Sequence, residues 1–405
     1  MEIEKLKKSN TKRYIIIGSI VVLILAGITL TFTKAKYKTT ASIPLVNGTI
    51  NYDLSDLNLI GVYIQEGEEY AKTDTIPTSG YEFNSEESYC TVNNERDDSI
   101  ALSFDMTTQN LTVTPLTKKG TKCYLYFDEK ASAGDTILAA SKPQGQTTDW
   151  TNNGQGVTYY YTGANPNNWV QFGEFWWRII RINGDGSIRM IYQGTSANTT
   201  GTGTQIGTSA FNSSDNRSYY VGLVHDGSSQ HGSGQNSTIM NTLNTWYNNN
   251  LASYEEDYID TGAGFCSDRN LQSGSWSATG NHDYAAYGRL VNSNSPSLQC
   301  SDADILSQDN GRLPNPIGLI TADEAALAGV TWNNPKSSYL NTGQYYRTMS
   351  PCNYRSIAGV FIVSDNGNLH VNGVNSTFGV RPVINLKSAI TITGEGSVDK
   401  PFKIQ

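Results

Sequence analysis

The chain has 405 residues, of which only 16% are charged, and its formal net charge is −8. Residues 1–40 hold eight Lys/Arg against Glu2 and Glu4, so +6 sits at the N-terminus and −14 on the remainder. A body that negative repels phosphates, which argues against nucleic acid as a partner, and the wealth of Gly, Asn, Ser, Thr and Tyr favours short strands and polar loops over amphipathic helices.

Residues 1–14 read as a basic cytoplasmic tail. Ile15–Thr33 is an uncharged, mostly apolar run of 19 residues. As a helix rising about 1.5 Å per residue it spans roughly 28 Å, against a hydrocarbon core of about 30 Å. Five positive residues precede it (Lys5, Lys7, Lys8, Lys12, Arg13) and three follow (Lys34, Lys36, Lys38). That bias predicts a single-pass signal anchor in the cell membrane, with the N-terminus inside and an extracellular ectodomain. The alternative is a cleaved signal peptide. Its apolar region would be about 7–15 residues long with an A-x-A-like site after it, whereas TFTKAKYK offers no such site.

Residues 41–130 carry the runs NGTINYD, NLIGVYIQ, SYCTV, SIALSF, LTVTPL and KCYLYF, separated by Asn, Asp, Gly and Pro. Short alternating strands at this spacing predict a small β-sandwich. Cys123 alternates in phase with Leu125 and Phe127, and Cys90 with Val92, so both sulfurs are expected in the core. A bond closing that loop is worth about 4 kcal/mol in the chain-entropy model. The five cysteines contain no C-x-x-C, which argues against zinc-ribbon and thioredoxin chemistry. They read as two disulfides within plausible domains and one free or intermolecular thiol, in keeping with an outside location.

Residues 131–157 read as a polar linker, and 158–405 as the second domain. All seven Trp lie in the stretch from Trp150 to Trp332. The runs WWRIIRI and SIRMIY flank NGDGS and predict a hairpin, as does the stretch around Asn366–Gly367. Two helices are expected. One starts at Ser237 as N-cap, with Ile239, Leu243, Trp246 or Tyr247, Leu251 and Tyr254 on one face. The other has a T-x-x-E capping box at Thr321 and Glu324 and ends at Gly329. The whole reads as mainly β with an α+β C-terminal domain.

Chemistry is sparse. Asp323 and Glu324 sit in the first turn of a capped helix, where they offset its dipole. NGDGS and SDNGN lack the rest of a calcium loop. Asp302, Asp304 and Asp309 after Cys300 could ligate Ca²⁺ with loop carbonyls, but no motif supports such a site and no cofactor is expected. His225, His231, His282 and His370 form no metalloprotease, deaminase or triad motif, and Cys352 stands alone as a nucleophile. No catalytic residue is assigned. The aromatic, Asn-rich loops are the more informative feature. Tyr159–Tyr161, Trp169, Trp176 and Trp177 belong at least partly to packing. Trp332, Tyr339, Tyr345 and Tyr346 are the candidate binding residues, since exposed Tyr and Trp make rigid recognition surfaces.

The order NNWVQFGEFWWRIIRINGDGSIRMIY, STIMNTLNTWY, GFCSDR, LQCSDAD, PIGLITADEAALAG, YYRTMSP and GVRPVINLK resembles DUF6273, a family of uncharacterised extracellular domains of Firmicutes and related gut anaerobes. The resemblance spans about residues 158–400. It implies a C-type-lectin-like domain, related in shape to the formylglycine-generating enzymes, with strands near both ends, two helices and long loops on one face. It also implies that Cys266 and Cys300 pair with each other. The E-P-N and W-N-D triplets of calcium-dependent sugar-binding lectins are absent. The expectation is a non-enzymatic surface binding or adhesion protein whose partner is an extracellular protein or glycan. An enzyme on a formylglycine-type scaffold and a structural envelope component are the alternatives.

Overall fold

The computed structural model describes residues 57–77, 80–106, 108–115, 120–148, 156–332 and 337–405. The expected basic tail (1–14), anchor (15–33) and first strand NGTINYD lie outside them. Among the described residues no helix is long and apolar enough to cross a membrane. The chain is mainly β and divides into two compact units, with the boundary between Glu129 and Lys130.

The first unit contains β1 (Leu57–Glu66), β2 (Glu69–Thr73), β3 (Tyr81–Val92), β4 (Glu95–Arg96), β5 (Ala101–Asp105), β6 (Asn110–Thr114) and β7 (Thr121–Glu129). Five of them form a sheet in the order β2-β1-β7-β3-β4, in which β1 and β7 run parallel. Alternation along β7 puts Cys123, Leu125 and Phe127 inside, where Leu102, Phe104, Leu111 and Val113 of the β5–β6 hairpin cover them. This is the second layer of a small sandwich. Cys90 and Cys123 are direct cross-strand partners, 4.1 Å apart at Cα, and are joined by a disulfide. The opposite parity puts Tyr124 and Tyr126 on the outer face, stacked against Tyr89 and Tyr63 at 4.9 and 4.8 Å between centroids. Such cross-strand aromatic pairs each contribute up to about 1 kcal/mol.

The second unit begins earlier than the sequence reading placed it. In the stretch read as a linker, Ala133–Ala140 form a helix with a Ser132/Asp135 capping box, and β8 (Gly145–Thr147) pairs with β9 (Thr158–Tyr160). Burial explains the difference, because Ala133 and Ile137 are fully enclosed in the core of the second unit. Its larger sheet is built on β10 (Trp169–Phe172), β11 (Phe175–Ile182) and β12 (Ile188–Gly194). The smaller strands that follow are β13 (Gly207–Ala210), β14 (Val224–His225), β15 (Gln235–Asn236), β16 (Phe265–Cys266), β17 (His282–Asp283) and β18 (Ile305–Leu306). The C-terminal third supplies β19 (Tyr346–Tyr354), β20 (Ala358–Val363), β21 (Leu369–Gly373), β22 (Thr377–Val380), β23 (Val383–Leu386), β24 (Ile392–Thr393) and β25 (Phe402–Ile404).

The larger sheet runs β23-β12-β11-β10-β25-β24, with β9 and β8 joined to β11. The last strand therefore lies parallel beside one of the first, Gln171 opposite Lys403. The second sheet runs β13-β22-β19-β20-β21. Both expected hairpins form, and Gly186 and Gly367 take the positive φ (79° and 83°) that their turns need. The helix Thr238–Asn250 has Ser237 as its N-cap and buries Ile239, Met240, Leu243 and Tyr247. The helix Ala322–Leu327 carries the Thr321/Glu324 box, with Gly329 beyond its end at φ 104°. The second disulfide joins Cys266 and Cys300.

Candidate functional site

The hairpin between β10 and β11 turns through Gly173 and Glu174, both at positive φ (59° and 66°). A two-residue turn of this kind needs φ > 0 at both positions and ordinarily takes Gly, Asn or Asp. Gly173 is required twice over, since a Cβ there would lie 2.9 Å from Leu251 Cδ2. Glu174 is the outlier, a long side chain held in a left-handed conformation that costs about 1 kcal/mol. Its exposed carboxylate stands on the rim of an open cleft of about 380 Å³.

The floor of the cleft is Phe172, and its walls include Trp176, Tyr254 and Tyr258, with Lys403 on β25 at the rim. Phe172 lies 5.2 Å from Tyr254 at 60° and 5.9 Å from Tyr258 at 68°, and the two tyrosines are 6.4 Å apart at 52°. No two of these rings are coplanar. They enclose a corner and do not form a flat platform. Tyr254 and Tyr258 flank the acidic turn Glu255, Glu256 and Asp257, so negative charge gathers at this end of the unit. Lys387 answers part of it by donating to the Glu256 carbonyl.

The four aromatic residues singled out from sequence fall elsewhere and divide into two pairs. Tyr339 and Tyr346 are 5% and 0% exposed, and their hydroxyls donate to the Ile179 and Leu340 carbonyls. They pack under Arg178 and Arg381 and belong to the core, which corrects their assignment to a binding surface. Tyr345 is exposed, and the neighbouring Asp365 carboxylate, hydrogen-bonded to its hydroxyl, raises its pKa. Trp332 is half-buried, set edge-on to Phe361 and stacked on His370.

A buried ionic cluster went unread in the sequence. Arg181 and Arg189 are direct cross-strand partners on β11 and β12, almost fully buried, and would repel each other if alone. Glu324 stands between them, its Oε1 3.1 Å from Arg181 Nε and 2.5 Å from Arg189 Nε. Burial pushes this carboxyl up, but the Arg189 and Arg181 charges outweigh it and hold the group below its ordinary value. Beside it Arg289 grips Asp323 with two nitrogens at 2.9 and 3.1 Å and reaches Asp268 at 2.8 Å. The gap they leave beside Cys266 is about 10 Å³, at the lower bound for one water molecule. Arginines inside the apolar runs WWRIIRI and SIRMIY were the available signal, because a guanidinium in a buried strand requires a partner.

The remaining candidates do not assemble into chemistry. Asp304 is fully buried and satisfied by His231 Nδ1 at 2.8 Å and Ser301 Oγ at 3.0 Å, whereas Asp302 and Asp309 are exposed. No group of three or more His, Cys, Asp or Glu among the described residues could hold a metal ion. Cys352 is fully buried, and burial, with Asp283 adding to it, pushes its thiol up. Cys352 is thus the free thiol among the five cysteines, but it is closed to reagents in the native state. Comparison with known proteins returns no matching family model, no matching curated protein and no matching solved structure.

Proposed function

We propose that this chain is a membrane-anchored surface binding protein and that its second unit, a C-type-lectin-like head of the DUF6273 type, carries the ligand site. The observation behind this reading is the open, aromatic-walled cleft under Glu174, because clefts lined by rings with a few polar groups are where compact ligands lose the most water-exposed surface. The lectin-like assignment is supported by β25 lying beside β10, which brings strands from both ends of the unit together. Against an enzyme built on Cys352 stands the burial of that thiol, since a thiolate is what such chemistry uses.

The test is a glycan-and-protein array probed with the full chain. The expected outcome is a ligand recovered chemically unchanged, whose binding falls at least about tenfold, roughly 1.4 kcal/mol, in Tyr258→Ala with the melting curve preserved. Turnover of that ligand, abolished by Cys352→Ser, would establish the enzyme reading instead.

A further inference from the structure

Resting on that reading, we infer that the cleft takes a trimethylammonium headgroup carried next to an anionic group, the chemistry of phosphocholine. Three observations lead there. The first is ring geometry. A sugar ring stacks on a flat aromatic face, whereas Phe172, Tyr254 and Tyr258 pack edge to face or tilted at 52–68° and offer the cleft no flat platform. With Trp176 they line one cleft with aromatic rings, and a compact quaternary ammonium group is attracted to such rings without needing a flat platform.

The second is charge. Glu174, exposed on the rim, is the one carboxylate in the cleft's lining, on a unit that is itself net negative, with 20 Asp/Glu against 16 Lys/Arg over residues 130–405. The third is the single cation in the lining. Lys403 stands on β25, opposite Gln171 in the register, where it suits the phosphate of a zwitterion whose methylated end lies against the rings. Glu174 holds its strained turn position although Gly or Asn would fit there at less cost, which is explicable if its carboxylate is used.

The experiment is calorimetric titration of the full chain in a maltoside detergent with choline, phosphocholine and 3,3-dimethyl-1-butanol, the uncharged isostere of choline. The expected result is that choline binds at least about tenfold tighter than its isostere. Glu174→Gln, an exposed change that leaves the core alone, should weaken choline several-fold, and Lys403→Gln should remove the preference for phosphocholine over choline. Equal binding of choline and the isostere, or choline binding indifferent to both Glu174→Gln and Tyr258→Ala, would overturn the inference.

A phosphocholine-conjugated albumin and monomeric short-chain phosphatidylcholine separate the two sources of the headgroup. Tighter binding of the conjugate points to a decorated polymer, and tighter binding of the lipid to a membrane surface. If choline fails while an array ligand still depends on Tyr258, the headgroup assignment falls and the binding site stands. If an array ligand ignores Tyr258, the site itself is wrong.

Discussion

Glu324 shows how much one side chain carries here. It closes the capping box of its helix through the Thr321 N–H and also neutralises two facing guanidiniums. Glu324→Gln keeps the amide-sized shape but leaves two buried cations opposed, so unfolding should become easier by on the order of 3–5 kcal/mol in urea titration. The sign of its pH dependence follows from its lowered folded-state pKa. Its contribution is complete above the ordinary carboxyl value of about 4.3 and is lost as pH falls through the folded value. The wild-type chain should therefore lose more stability than Glu324→Gln on acidification below about pH 4.3. Glu174 works in the opposite sense. Glu174→Gly should raise the melting temperature, gaining about 1 kcal/mol by relieving a left-handed Glu, while weakening the ligand. Cys352 should react with iodoacetamide only after denaturation, and labelling of the native chain at the rate of a free thiol would contradict its burial.

At the scale of elements, the Ala133–Ala140 helix depends on its Ser132 cap, which accepts from the Asp135 N–H. Ser132→Ala should cost about 1 kcal/mol by thermal melting. That helix also shows where sequence reading stops. S-x-x-D before TILAA is a capping signature, but eight residues bounded by Gly and polar segments give too little periodicity to register, and only tertiary burial of Ala133 and Ile137 makes the element persist. The Thr238–Asn250 and Ala322–Leu327 helices were legible because each combines a cap with an apolar face. The Cys90–Cys123 bond was legible as strand parity, since β3 and β7 place both sulfurs inward. The aromatic site was not. Tyr339 and Tyr346 look the same in sequence as Tyr254 and Tyr258, and only the fold decides which rings lie under arginines and which line a cleft.

At the scale of the whole molecule the two units present different aromatic surfaces. On the outer sheet of the first, the rings of Tyr63, Tyr126, Tyr89 and Tyr124 stack on one another, so their faces are already used. In the second, Phe172, Tyr254 and Tyr258 pack edge to face and line an open cleft. The first unit is accordingly read as a disulfide-locked spacer and the second as the part that binds. Removing the lock with paired Cys90→Ser and Cys123→Ser changes should cost the first unit about 2–5 kcal/mol and leave ligand affinity alone. The measurement that bears most directly on this division is the pair of dissociation constants for one array ligand with Tyr258→Ala and with Tyr124→Ala, each variant first shown to melt cooperatively. The account predicts a loss of at least about tenfold for Tyr258→Ala and no change for Tyr124→Ala. The reverse pattern would place the ligand on the sandwich and contradict it.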